Sequence, residues 1–134
     1  MTRDARQAAA KEELQRAREE LRAADHLLGV GLARVSLGRA YFAAFHACRA
    51  MLYAIGLEPR SHHGALHLFN LHFVRSARFE PATSRLLARL QKFREEADYG
   101  DSFPVDEAGA REELEAARGF VSRVEVELAK PPPE

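Results

Sequence analysis

The chain has no tryptophan, one cysteine, one isoleucine and two threonines in 134 residues, and three of its six prolines stand together at 131–133. A lone Cys48 permits no internal disulfide and no multi-thiolate zinc site. It lies between Ala47 and Arg49 in an apolar helical stretch, where a small buried hydrophobe is the fitting role. With few β-branched residues and no sustained alternation of period two, no segment reads as a strand. No apolar run approaches the roughly 18 residues of a membrane span, and no secretory leader is visible, so a cytoplasmic protein with no membrane partner is expected. Twenty basic side chains balance twenty acidic ones. Without a net field, any polyanion site must be a local cluster. Seventeen of the basic residues are arginine, the exceptions being Lys11, Lys92 and Lys130.

Helical spacing is everywhere. Leu14, Ala17, Leu21, Ala24 and Leu28 recur at intervals of three and four with charges between them. Gly29-Val30-Gly31 breaks that helix, and a second is expected over 32–55, ending at Gly56. Ser61 or His62 opens a third, shorter helix that holds Leu66, Phe69 and Phe73. Residues 77–83, with Pro81 among them, read as a loop, with Thr83 or Ser84 as the next N-cap. Leu86, Leu87, Leu90, Phe93 and Ala97 stripe a fourth helix that Gly100 stops. Residues 101–106 connect, Asp106 caps, and Ala110, Leu114, Ala117, Val121, Val124 and Leu128 line one face of the last helix. The expectation is an all-α fold: one domain over 1–130, an up-and-down antiparallel bundle of four to five helices, with a disordered Pro-rich tail at 131–134.

The second helix has two unlike faces. At 100° per residue, Leu37, Tyr41, Ala44, Cys48, Leu52 and Ile55 gather on one side as core. Arg39, Phe42, His46, Arg49 and Tyr53 gather on the other within an arc of about 80°. Cations, an imidazole and aromatics together suit a ligand surface or a subunit interface. The plainer alternative is a helix packed on both sides, its arginines paired with acids on neighbours.

Near the C-terminal third stands Arg94-Glu95-Glu96-Ala97-Asp98-Tyr99-Gly100. Helix ends favour cations over anions, yet this one carries three acids in its last turns. Arg94 and Asp98 are four apart with the acid C-terminal, the weaker orientation for a local pair. Stability within the helix is therefore a poor reason for the arrangement. His63 and His67, also four apart, have the spacing of two metal ligands, but no nearby acid or thiol completes a set, so no metal is expected.

Three stretches, taken in order, resemble the HEPN family. They are Arg39-Ala40-Tyr41-Phe42-Ala43-Ala44-Phe45-His46-Ala47-Cys48-Arg49-Ala50, then Ser61-His62-His63-Gly64 with Leu71-His72-Phe73-Val74, then Arg94 to Gly100. The last is similar to the closing motif of a small stand-alone bacterial and archaeal branch. The resemblance implies a homodimer whose motif helices line a shared cleft. It also implies a minimal nucleotidyltransferase as partner in a toxin–antitoxin-like pair, and no cofactor. Some relatives are metal-independent ribonucleases that use an arginine followed four to six residues later by a histidine. Arg94 matches the arginine, but Asp98 and Tyr99 occupy the histidine position.

Three functions follow as expectations. In the first, the chain is a binding and regulatory protein whose Arg39, His46, Arg49, Arg94, Asp98 and Tyr99 form a nucleotide or RNA phosphate site, with Phe42, His46, Arg49 and Tyr53 at the dimer interface. The second is an RNA endonuclease toxin using Arg94 with His46 or His63. The third is a purely structural dimerisation bundle. The missing histidine favours the first.

Overall fold

The computed structural model describes residues 1–99 and 105–131, apart from the side chains of 97–99. The chain forms α1 (Arg3–Gly29), α2 (Ala33–Ala54), α3 (His62–Phe69), α4 (Pro81–Tyr99) and α5 (Glu107–Ala129). No strand occurs among the described residues, so the expected all-α antiparallel bundle is the fold.

The first hairpin is a close-packed seam. Ala10, Leu14, Ala17, Leu21, Ala24 and Leu28 are all buried at alternating spacings of four and three, the pattern that keeps one stripe facing a partner helix. Opposite them α2 offers buried Ala40, Ala43, Ala47 and Ala50, small enough for close helix approach. Ser36 is fully buried in this seam, its hydroxyl donating to the Ala24 carbonyl at 2.7 Å. Gly31 makes the turn at φ +85°, a conformation that side chains with a Cβ rarely adopt.

α2 is the axle of the bundle, with α1, α3, α4 and α5 all packed against it. α5 runs antiparallel to α1, tied by Arg18–Glu125 at 2.9 Å and Arg118–Asp25 at 3.4 Å. It is capped by Asp106, whose carboxylate accepts from the Gly109 amide. Phe69, Phe73, Phe79 and Phe120 form an aromatic part of the same core, with neighbouring rings 5.1–6.4 Å apart.

The third helix runs on past Phe69 through a π-helical turn, Asn70–Val74, and so holds Phe73 beside Phe69 as expected. Two sequence expectations need correction here. α4 starts at Pro81, not after Thr83; proline lacks the N–H that a first helical position leaves unused, and its fixed φ suits that position. Glu80 takes the capping position, its carbonyl accepting from the Thr83 amide at 2.9 Å. Ile55, assigned to the core face, is 41% exposed because α2 has already ended at Ala54. The expected stop at Gly100, most of the connector and tail residues 132–134 lie outside the described residues.

Candidate functional site

Where α2 meets the start of α3 and the C-terminal half of α4, side chains from three helices enclose a cationic–aromatic cluster. Ser61 caps α3 by accepting from the Gly64 amide at 2.9 Å, which turns the first helical residue, His62, inward. The His62 ring stacks on Phe45 with centroids 4.1 Å apart and planes within 6°. Its Nδ1 lies 2.7 Å from the Tyr41 hydroxyl. Burial pushes the Tyr41 phenol up to about 12, against the opposing charge of Arg94, so it is a neutral O–H near pH 7. Burial first, and then the charges of Arg94, His46 and Arg49, hold the His62 imidazole below its ordinary 6.5. With both groups neutral, one hydrogen bond joins them; the phenol as its donor puts the ring proton on Nε2.

Arg94 completes the cluster from α4. Its guanidinium lies over the Tyr41 ring at 5.4 Å and the Phe42 ring at 5.1 Å. Among the described residues it forms a salt bridge with no carboxylate. A guanidinium is attracted to the negative face of an aromatic ring, but that contact leaves its N–H donors unspent. Half-buried, charged and donor-rich, Arg94 is equipped to meet an anion.

The other cations of the cluster are already matched on the α1 side. Arg39 pairs with Glu20 at 3.2 Å while lying over Phe42 at 5.0 Å. Glu13, 6% exposed, lies 2.7 Å from His46 Nδ1 and 3.9 Å from Arg49 Nε. Burial alone would raise the Glu13 carboxyl; the His46 hydrogen bond and the charges of Arg49, His46 and Arg16 outweigh it and hold it below 4.5. Arg49 also donates to the Tyr53 hydroxyl and lies over the Phe45 and Tyr53 rings. Glu13 fixes the tautomer of His46: Nδ1–H faces the carboxylate, and Nε2 keeps its lone pair unless the ring is protonated.

A model of the HEPN domain matches residues 10–127. The chain belongs to the HEPN family. It is 34% identical over 112 residues to "Putative toxin MJ0605" of Methanocaldococcus jannaschii, covering 84% of this chain and 83% of that one. It is 31% identical over 110 residues to a UPF0332 protein of Thermotoga maritima, covering 82% and 83%. The crystal structure of TT1696 from Thermus thermophilus superposes with a TM-score of 0.74 over 87% of this chain and 96% of that one. At 23% identity, that likeness speaks to the fold alone.

Within this HEPN chain the expected site residues part company. Arg39, His46, Arg49 and Arg94 do converge on one aromatic stack. His63 does not join them; its Nδ1 faces the Gln91 amide at 3.3 Å in an exposed contact. The side chains of Asp98 and Tyr99 lie outside the described residues. No group of three metal-ligating side chains occurs among the described residues, and no helix searched is long and apolar enough to cross a membrane. Tyr53, placed at the dimer interface by helical geometry, is covered within its own chain at 7% exposed, whereas Phe42 is half-buried.

Sequence reading assigned His62 and His63 alike to the helix start or a polar cluster and did not single out His62 or Glu13 for the site. The signal for His62 was present in Ser61-His62-His63-Gly64, since a capping serine fixes which residue begins the helix. Glu13 falls within one turn of Leu14 and Ala17 on the inward side of α1, but nothing short of the α1–α2 register pairs it with His46.

Proposed function

We propose that this HEPN protein is a phosphate-recognising binding and regulatory component of a toxin–antitoxin-like pair. In this reading it is a homodimer that works beside a nucleotidyltransferase-type partner and reads an RNA or nucleotide phosphate through Arg94. One observation carries the reading: Arg94 is held over two aromatic rings, without a carboxylate partner among the described residues, beside an imidazole kept neutral. The His62 Nε2–H supplies a second donor of the kind a phosphate oxygen accepts. Arg39 and Arg49 are screened by Glu20 and Glu13, so they support the field more than they contact the anion. The toxin name carried by two relatives fits this role.

Binding of a short single-stranded RNA and of a mononucleotide, followed by fluorescence anisotropy or calorimetry at two salt concentrations, tests it. The intact chain should bind, weaken as salt rises, and lose at least tenfold in affinity on Arg94→Ala. Equal binding by the variant removes the assignment. The proposed dimer uses the outer face of α2, where Val35 is 49% exposed and Phe42 is half-buried. Phe42→Asp should shift the mass measured by light scattering from dimer to monomer.

A second reading, metal-independent RNA cleavage, is favoured at one point only. With Nδ1–H on Glu13, the neutral form of His46 presents Nε2 as an acceptor, the state a general base requires. His62 has the opposite polarity in the tautomer whose Nδ1 accepts from Tyr41. A chelator-treated cleavage assay comparing the intact chain with His46→Ala separates the two readings. Cleavage abolished with His46 supports the nuclease, and no cleavage by the intact chain leaves the binding component.

A further inference from the structure

A second concave surface lies at the other end of α4. Thr83 precedes Arg94 by eleven residues, about 16 Å along a helix axis, so this surface is separate from the aromatic cluster. It is a trough of about 530 Å³ between the first half of α4 and the second half of α5. Phe79, Leu86, Ala116, Gly119 and Phe120 make its floor. Guanidiniums stand on both banks, Arg85 and Arg89 on α4 and Arg123 on α5; Glu80 is the carboxylate in the lining, and Glu113 and Glu127 pair with Arg89 and Arg123.

The three arginines are not equivalent. Arg123 is fixed in place, donating to the Arg78 carbonyl at 2.9 Å, lying over the Phe79 ring at 5.1 Å and facing the Glu127 carboxylate at 3.8 Å. Arg89 is tied to Glu113 at 3.1 Å. Arg85 is exposed, and among the described residues it makes neither an ion pair nor a hydrogen bond. One preorganised cation and one uncommitted cation thus face each other across an apolar floor.

Gly119 sharpens the case. It sits inside α5, where glycine weakens a helix relative to alanine. The fold does not ask for it: a Cβ built there meets nothing within 4 Å, and its φ is not positive. A glycine that the chain's own packing does not need is accounted for if something else approaches the backbone there.

We infer that this trough is a docking groove for an amphipathic helix of a partner protein, with apolar residues on its inner face and carboxylates on its flanks. The trough lies open along two helices for about two turns, which matches the side of a third helix better than an enclosed small molecule. An apolar floor selects residues spaced i, i+4 and i+7, and the arginines on the banks select acidic neighbours. The same cations repel a basic helix.

A library of helical peptides displayed on phage, selected on the intact chain and counter-selected on Gly119→Leu, tests the groove. Gly119→Leu projects into open space and removes a helix-weakening glycine, so its circular dichroism should match the parent and its thermal midpoint should be no lower. Arg85→Glu is an exposed second variant that disturbs no partner. Surviving clones should be net acidic with apolar residues at helical spacing. Made as synthetic peptides, they should bind the parent at least tenfold more tightly than Gly119→Leu and at least fivefold more tightly than Arg85→Glu. Overturning results are an absence of surviving clones, survivors of neutral or basic character, or equal binding to all three proteins. A drop in the mass of the unliganded chain on Gly119→Leu would give the groove to a second copy and likewise overturn the inference.

Discussion

The aromatic stack on α2 has two flanks, and their charges are handled in opposite ways. On the α1 flank every cation has an acid: Arg39 has Glu20, and His46 and Arg49 share Glu13. On the α3–α4 flank His62 is held neutral and Arg94 rests on rings, with no carboxylate partner among the described residues. The first arrangement is closed, because its charges cancel inside one chain. The second is open, and an open cationic flank is where an incoming anion gains most.

That contrast is broken most directly at Glu13. Removing one member of a buried charge set leaves the others uncompensated, so Glu13→Ala should cost about 3 kcal/mol in chemical denaturation. Arg94→Ala should be far milder in the same experiment, about 1 kcal/mol or less, because among the described residues its contacts are with aromatic rings. If the two variants destabilise equally, the flanks do not differ as described.

The pH dependence of stability separates the same flanks. A depressed imidazole means that the unfolded chain takes up a proton more readily than the fold. Stability attributable to His62 is therefore complete above its ordinary 6.5 and falls as pH drops below it. Glu13 is a depressed carboxyl, so its contribution persists above 4.5 and is lost only as pH falls further. Denaturation midpoints measured from pH 8 to 3 should descend in two stretches, with His62→Gln flattening the upper and Glu13→Gln the lower. At the small end, Arg111→Ala breaks an exposed pair with Glu107 and should change stability by no more than about 0.5 kcal/mol.

The bundle was legible in the sequence because apolar spacing and caps are local signals. Leu14 through Leu28 on α1, and Ala110 through Val124 on α5, declare their buried faces without reference to any other helix. The Pro81 start was misread because a proline marks both a loop and a first helical turn, and local pattern does not separate them. The site was half legible. Arg39, His46, Arg49 and Arg94 stood out as cations among aromatics, but which of them remain open depends on Glu13 and Glu20, contributed by α1. The choice between His62 and His63 turned on one residue of helix phase, 100° of rotation, set by the Ser61 cap.

The central claim is that Arg94, and not Arg39, faces the ligand. The salt dependence of single-stranded RNA binding by the intact chain, Arg94→Ala and Arg39→Ala tests it most directly. Removing one cation that touches a phosphate lowers the slope of log affinity against log salt by about 0.7 for a single strand. The account predicts that decrease for Arg94→Ala together with at least tenfold weaker binding, and a nearly parental slope for Arg39→Ala. A parental slope and affinity for Arg94→Ala would contradict it.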